Sequence, residues 1–235
     1  MNIFRRFIKK VMVRFYRVKN YLSPSHGPAN AVFIWIPKNA GTSTFDVLRR
    51  EAGFLKLKRM PELTSHFKQK GRVSFAHIDY QALRSNGHVS DEFDQTAFKF
   101  CFVRDPYERV VSLYHYFLKD ERIGGNTTFL EFCQLLKNTE IEPIGLYNYS
   151  GLSQCNPQVR WLDGMKMDFV GRYEDLEADF TRLAKEFSVV ATLPNLNRAR
   201  FYRLNEYYCA ESKAIVEDYY REDFVAFDYK IREIK

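Results

Sequence analysis

Short apolar runs alternate with longer stretches of helical periodicity along this chain. Four such runs lie at residues 31–36, 72–76, 97–103 and 168–172, and each is too short for an ordinary helix. The first carries valine, isoleucine, phenylalanine and tryptophan, residue types that favour extended backbone. We therefore predict four strands at these positions.

Apolar residues at helical spacing predict helices after these strands. The predicted helices begin near Phe45, after Arg104, within 127–137, near Glu174 and within 205–220. The second has the clearest start, since Asp105 suits the N-cap, Pro106 the first helical position and Glu108 the third. This alternation predicts an α/β fold of three layers, a mostly parallel central sheet with helices on both faces. Ligands of such folds bind at the carboxyl ends of the strands.

The first predicted strand runs into a polar segment of small residues. In order, the segment contains Pro37, Lys38, Asn39, Ala40, Gly41, Thr42, Ser43 and Thr44. Small residues at a helix N-terminus leave backbone N–H groups pointing at an anion, and Lys38 with three hydroxyls adds charge and donors. Because Lys38 precedes Gly41, the segment is not a Walker loop. It predicts a phosphate or sulfate site, with an ordinary strand-to-helix turn as the alternative.

Residues suited to catalysis or to anion binding follow two further predicted strands. His77 follows the second predicted strand, and Arg104 follows the third, with Ser112 eight residues later. A guanidinium and a hydroxyl at this spacing across a helix start can hold a phosphate. The structural alternative is that Arg104 forms an ion pair in the capping region and that Ser112 is an ordinary helix hydroxyl.

Taken together, the two stretches resemble a known family. PKNAGTST (37–44) and FCFVRDPYERVVSLYHYF (100–117) are similar to the 5'-phosphosulfate and 3'-phosphate motifs of carbohydrate sulfotransferases that use 3'-phosphoadenosine 5'-phosphosulfate (PAPS). The resemblance is to the branch with heparan sulfate 2-O- and chondroitin 4-O-sulfotransferases. NPQVRWL, FVGRYEDLEADF, LPNLN and YREDFVAFDY resemble its later blocks. The resemblance implies a P-loop-NTPase-like sulfotransferase fold.

The resemblance also implies residue roles. Residues 37–44, above all Lys38, would hold the phosphosulfate, while Arg104 and Ser112 would hold the 3'-phosphate. For adenine the match is poor, and Asn197 with Arg198 or Arg203 is the candidate set. PAPS would be the co-substrate, and no metal is required.

His77 is the candidate catalytic base. Residues 75–80, FAHIDY, stand where heparan sulfate 2-O-sulfotransferases carry His-Gly-His-Val-Ser-Tyr, and His77 matches the second histidine while the first is absent. Sulfuryl transfer to an alcohol needs a base for the hydroxyl proton, and imidazole titrates near neutral pH. Asp79, Glu51 and Glu62 are the rival candidates.

These assignments predict one reaction and leave two alternatives. The predicted enzyme moves a sulfuryl group from PAPS to a hydroxyl of a carbohydrate or glycoconjugate and releases adenosine 3',5'-bisphosphate. Lys38 would stabilise the leaving group. The alternatives are a nucleotide-dependent kinase, which the missing Walker lysine opposes, and a non-catalytic module that binds phosphate or sulfate at a membrane surface.

Charge is concentrated in an N-terminal arm, residues 1–22, which a linker at 23–30 joins to a single domain at 31–235. Seven of the 36 lysines and arginines precede residue 20, and the remaining 29 equal the 29 acidic residues. A neutral body argues against nucleic acid as a partner. The arm interleaves cations with apolar residues at helical spacing, which predicts either an interfacial helix on anionic lipid through residues 1–19 or a helix packed on the domain.

The remaining features concern the cellular compartment. The arm has no apolar run long enough to span a bilayer and no continuous apolar core of a signal peptide. The four cysteines, Cys101, Cys133, Cys155 and Cys209, form no CxxC pair and are predicted to be reduced thiols. We therefore predict a cytoplasmic protein, with the inner face of the membrane as the place where the arm would bind.

Overall fold

A five-stranded parallel sheet forms the centre of the molecule. The structure, a computed structural model, describes residues 27–57, 71–136, 152–190, 193 and 202–234. The strands are β1 (Ala31–Ile34), β2 (Leu55–Lys56), β3 (Arg72–Ser74), β4 (Phe98–Val103) and β5 (Phe169–Arg172). Their order is β2-β3-β1-β4-β5, and every neighbouring pair is parallel. The predicted parallel α/β sheet is confirmed.

Helices follow the strands along the described part of the chain. They are α1 (Gly41–Glu51), α2 (Tyr80–Ser85), α3 (Asp91–Thr96), α4 (Pro106–Lys119), α5 (Phe129–Gln134), α6 (Leu176–Glu186), α7 (Ala210–Tyr219) and α8 (Arg221–Ala226). The start of α4 is as predicted, because Oδ1 of Asp105 accepts the N–H of Glu108 at 3.2 Å and Pro106 occupies the first turn. None of the described helices is long and apolar enough to cross a bilayer.

Helices cover both faces of the sheet. Val32 and Ile34 of β1 belong to a buried cluster that contains residues of α2 and α3. Phe33, which points the opposite way, belongs to a second cluster with residues of α1 and α6. Successive strand residues face opposite sides, so a continuously apolar strand is buried on both faces. A third cluster joins α4, α5, α7 and α8.

Three local predictions differ from the structure. Leu55 and Lys56 form the short edge strand β2, which is not among the four predicted strands, because pairing with β3 decides the conformation. Helix α1 begins at Gly41, four residues before the predicted start, so 41–44 form its first turn. The last predicted helix, placed within 205–220, begins only at Ala210 as α7, and a helix that the sequence did not predict, α8, follows it.

The strand order brings the three predicted strand ends together. β1 lies between β3 and β4. Residues that follow these strands therefore meet at one edge of the sheet. After β1, the chain adds strands β2 and β3 on one side of β1 and then strands β4 and β5 on the other side. Such a reversal of strand order opens a crevice in which α/β folds bind ligands.

Candidate active site

Loop 37–40 joins β1 to α1 and exposes the N-terminus of that helix. Lys38 and Ala40 have positive φ angles of 69° and 59°, and Ala40 is an N-cap without a side-chain hydrogen bond. The N–H groups of residues 41–43 have no acceptor among the described residues. They carry the positive end of the helix dipole and suit an anion.

Glycine is required at the first position of α1. A Cβ atom at Gly41 would lie 1.8 Å from Nε1 of Trp35, because the indole packs against the start of the helix. Trp35 is buried and stacks on Phe33 and Phe45, with ring centroids 5.9 and 5.5 Å apart. This close approach lets the chain pass from β1 into α1 through a short loop.

The ammonium group of Lys38 lies in a partly desolvated, cationic setting. Its Nζ is 4.5 Å from the centroid of the Tyr116 ring on α4. Burial, and then the charge of nearby Arg104, lowers the pKa of Lys38 to about 8. An anion bound beside Lys38 would favour its charged form and raise this pKa again.

Arg104 is buried at the carboxyl end of β4. Its guanidinium carbon lies 4.0 Å from the centroid of the Tyr173 ring. Nη2 is 3.4 Å from Oε2 of Glu108, and Nη1 donates to the carbonyl oxygen of Lys38 at 3.5 Å. Burial raises the pKa of Glu108, while the charge of Arg104 opposes this rise. Arg104 therefore contacts both loop 37–40 and α4.

Ser112 lies on the face of α4 that runs between the two cations. Glu108, Ser112 and Tyr116 follow one another at intervals of four residues, so they share one helix face. Arg104 contacts Glu108, and Lys38 contacts Tyr116. The structure thus brings together the lysine, the arginine and the serine that the sequence predicted to bind anions.

Several buried polar atoms of this region have no hydrogen-bond partner among the described residues. They are Oδ1 of Asn39, Oγ1 of Thr44 and Nε of Arg104. Buried polar side-chain atoms nearly always have a partner. Hydroxyl and guanidinium donors beside the N-terminus of α1 fit a ligand that supplies phosphate or sulfate oxygens.

His77 follows β3, and its ring is held against the end of β1. Nδ1 lies 2.9 Å from the carbonyl oxygen of Trp35. Since a carbonyl only accepts, Nδ1 carries the proton, and the neutral ring has its lone pair on Nε2. The ring centroid is 5.2 Å from that of Trp35 and 6.4 Å from that of Trp161. This tautomer suits Nε2 to accept a proton.

Of the three rival bases, Asp79 and Glu51 are placed less suitably than His77. The carboxylate of Asp79 caps α2 and accepts the N–H groups of Gln81 at 2.8 Å and Ala82 at 3.2 Å. Glu51 is exposed at the last residue of α1, at the opposite end from loop 37–40. Glu62 lies outside the described residues.

Only one of the three residues predicted to contact adenine lies within the described part of the chain. Asn197 and Arg198 lie outside the described residues. Arg203 is described, and its side chain is 86% exposed and 3.4 Å from Glu206. The contacts of all three with adenine stay predictions.

Two buried residues that the sequence did not single out hold the site together. Arg109 is fully buried and donates to the carbonyl oxygens of Pro37 at 3.2 Å, Gln154 at 2.7 Å and Asn156 at 3.0 Å. Gln158 bonds both loop 37–40 and Arg104. No local pattern reveals these residues, because their partners lie at least 45 positions away along the chain.

Comparisons with known proteins identify a family by sequence and a similar fold by structure. A model described as the Sulfotransferase family matches residues 26–230. The solved structure of mouse sulfotransferase SULT7A1 complexed with PAP is similar, with a TM-score of 0.53 and 13% identity over 84% of each chain. A sulfotransferase from Alicyclobacillus acidocaldarius has a TM-score of 0.46 and 16% identity over 86% of this chain and 96% of that chain. No curated protein sequence matches the chain.

Proposed function

Because the chain belongs to the sulfotransferase family, we propose that it moves a sulfuryl group from PAPS to a hydroxyl of a carbohydrate or glycoconjugate. Adenosine 3',5'-bisphosphate would be the other product. The observation that carries this proposal is a pair of anion-binding groups at adjacent strand ends, Lys38 with the start of α1 and Arg104 with Ser112. Two such groups suit a nucleotide with anionic groups at both its 5' and 3' positions.

Two observations support the choice of donor and acceptor. The similar mouse sulfotransferase was solved with PAP, which supports PAPS as the donor. The likeness of residues 37–44 and 100–117 to the motifs of carbohydrate sulfotransferases supports a sugar hydroxyl as the acceptor.

In the proposed mechanism His77 is the general base. Nε2, which carries the lone pair when Nδ1 donates to Trp35, would take the proton of the acceptor hydroxyl. The acceptor oxygen would form a bond to sulfur as the bond from sulfur to the bridging phosphate oxygen breaks. The carbonyl of Trp35 would stabilise the imidazolium that results.

Lys38 would stabilise the charge that develops on the leaving oxygen. Its ammonium group and the N–H groups at the start of α1 are donors that need no rearrangement during the reaction. At neutral pH most of Lys38 is protonated, because its pKa of about 8 lies above that pH. Arg104 would hold the 3'-phosphate. Its guanidinium would give up part of its contact with Glu108 to do so.

The test is transfer of labelled sulfate from PAPS to a panel of glycans, lipids, phenols and small alcohols. Label on a sugar hydroxyl would support the proposal, and label confined to a non-carbohydrate would contradict the acceptor class. Binding of adenosine 3',5'-bisphosphate without transfer to any acceptor would favour a non-catalytic module. Magnesium-dependent turnover of ATP would favour a kinase.

A further inference from the structure

One side chain lies between the two anion-binding groups. Gln158 begins the 3-10 helix Gln158–Trp161 and is fully buried. Its Oε1 accepts from Nδ2 of Asn39 at 2.7 Å and from the backbone N–H of Arg104 at 2.9 Å. Its Nε2 donates to the carbonyl oxygen of Arg104 at 2.8 Å. One amide group thus joins loop 37–40 to the backbone at the end of β4.

Asp223 of α8 fixes Gln158 from a third direction. Oδ2 of Asp223 accepts from the backbone N–H of Gln158 at 2.8 Å and from Nε2 at 3.2 Å. Oδ1 accepts from the backbone N–H of Val159 at 2.9 Å. The carboxylate is itself fully buried, so the network is protected from water.

Every hydrogen-bonding position of the Gln158 amide is occupied. Oε1 accepts twice and Nε2 donates twice, which is the full capacity of a primary amide. The partners also fix the orientation of the amide, because the N–H of Arg104 can only donate and its carbonyl can only accept. A buried amide whose donors and acceptors are all satisfied is held in one orientation.

The same network ties loop 37–40 to β4 twice. Nδ2 of Asn39 donates both to Gln158 and, at 2.8 Å, to the carbonyl oxygen of Phe102. Arg104 is held through its backbone at both polar atoms. Gln158 therefore helps to set the distance between loop 37–40 and the backbone of Arg104, together with the direct bond from Asn39 to Phe102.

We propose that Gln158 is a positioning residue that holds loop 37–40 and Arg104 at the separation needed by a ligand with two anionic groups. The inference rests on the proposed function for the identity of that ligand, adenosine 3',5'-bisphosphate. A ligand that occupies only one of the groups does not need this separation. Loss of Gln158 therefore weakens binding of the bisphosphate more than binding of either adenosine monophosphate.

The experiment compares three nucleotides by calorimetry on the full chain. Gln158→Met keeps the length of the side chain and removes its four hydrogen bonds. We expect about a tenfold loss of affinity for adenosine 3',5'-bisphosphate and less than about a twofold loss for adenosine 5'-monophosphate and 3'-monophosphate. Arg160→Gln, whose half-exposed side chain lies on the same 3-10 helix, is the matched control and should leave all three affinities unchanged.

Two results would overturn the role of Gln158. One is an equal loss for all three nucleotides, which a merely structural role predicts, and the other is an unchanged affinity for the bisphosphate. If Gln158→Met does not fold, Gln158→Asn provides the same comparison, since it keeps an uncharged amide beside Asp223 but is one methylene too short to bridge Asn39 and Arg104. Failure of the wild-type protein to bind the bisphosphate would instead overturn the proposed function.

Discussion

At the scale of single residues, Lys38 should contribute most to transfer. Lys38→Ala removes a charged donor placed beside the leaving oxygen, so we expect sulfate transfer to fall by about 100-fold or more. Rates are measured with labelled PAPS and an acceptor from the panel. Lys185→Ala, which changes an exposed lysine in the last turn of α6, is the control. Near wild-type transfer by Lys38→Ala would contradict the role of the loop.

The lowered pKa of Lys38 predicts a pH dependence of ligand binding. Only the protonated ammonium attracts an anion, and it loses its proton as pH rises through about 8 in the ligand-free protein. Affinity for adenosine 3',5'-bisphosphate should therefore be steady from pH 7 to about 8 and fall above it. Lys38→Arg stays charged in this range, so its calorimetric profile should be flatter. If the affinity of Lys38→Arg fell as steeply with pH as that of the wild type, Lys38 would not be the group whose titration weakens binding.

His77 should act on the rate and not on nucleotide binding. His77→Asn retains a donor near Nδ1 for the carbonyl of Trp35 but removes the base at Nε2. We expect kcat to fall by about 100-fold while affinity for the bisphosphate changes little. His88→Ala, in the turn after α2, is the control. A large loss of nucleotide affinity in His77→Asn would show that His77 contacts the nucleotide or supports the fold.

At the scale of elements, the site depends on how α4 is fastened to the segments around it. Arg109 points inward from α4, and its three hydrogen bonds reach the carbonyl oxygen that begins loop 37–40 and two carbonyl oxygens before the 3-10 helix. A backbone carbonyl in a buried loop needs a donor that secondary structure does not supply. The planar guanidinium group of Arg109 donates to three such carbonyl oxygens at once.

Replacing Arg109 should therefore destabilise the whole fold. Arg109→Leu removes three hydrogen bonds to backbone carbonyl groups, so we expect the free energy of unfolding to fall by about 3 kcal/mol or more. Arg109→Lys should recover part of this loss because one ammonium group can still donate. Urea denaturation measures both variants. Arg221→Leu, whose side chain is 75% exposed and pairs with the exposed Asp218, should change stability by less than about 0.5 kcal/mol. An Arg109→Leu variant as stable as wild type would show that these hydrogen bonds between α4 and its neighbouring segments do not stabilise the fold.

At the scale of the whole molecule, the uneven distribution of charge predicts membrane binding by the N-terminal arm. Residues 1–22 lie outside those that the structure describes, so this proposal rests on the sequence, in which seven cations precede residue 20. We expect the full chain to sediment with vesicles that contain anionic lipid, and to do so less as salt rises. A form that begins at Ser23 is the comparison. Equal recovery of both forms would contradict the proposal.

The fold was largely predictable because its signals are local. The apolar runs that became β1, β3, β4 and β5 and the capping pattern at 105–108 each depend on a few neighbouring residues. The edge strand β2 was missed since two residues carry no periodicity of their own. The candidate site was predictable as far as it follows strand ends, which is why Lys38, His77 and Arg104 could be proposed from the sequence.

Periodicity and capping are properties of adjacent residues, so the alternation of strands and helices and the polar residues after each strand follow from the chain's local pattern. The tautomer of His77, the lowered pKa of Lys38 and the positions of Arg109 and Gln158 arise only in the folded protein. Each of these depends on burial or on a hydrogen bond between residues tens of positions apart. Such contacts exist only once the sheet has brought β1, β3 and β4 side by side.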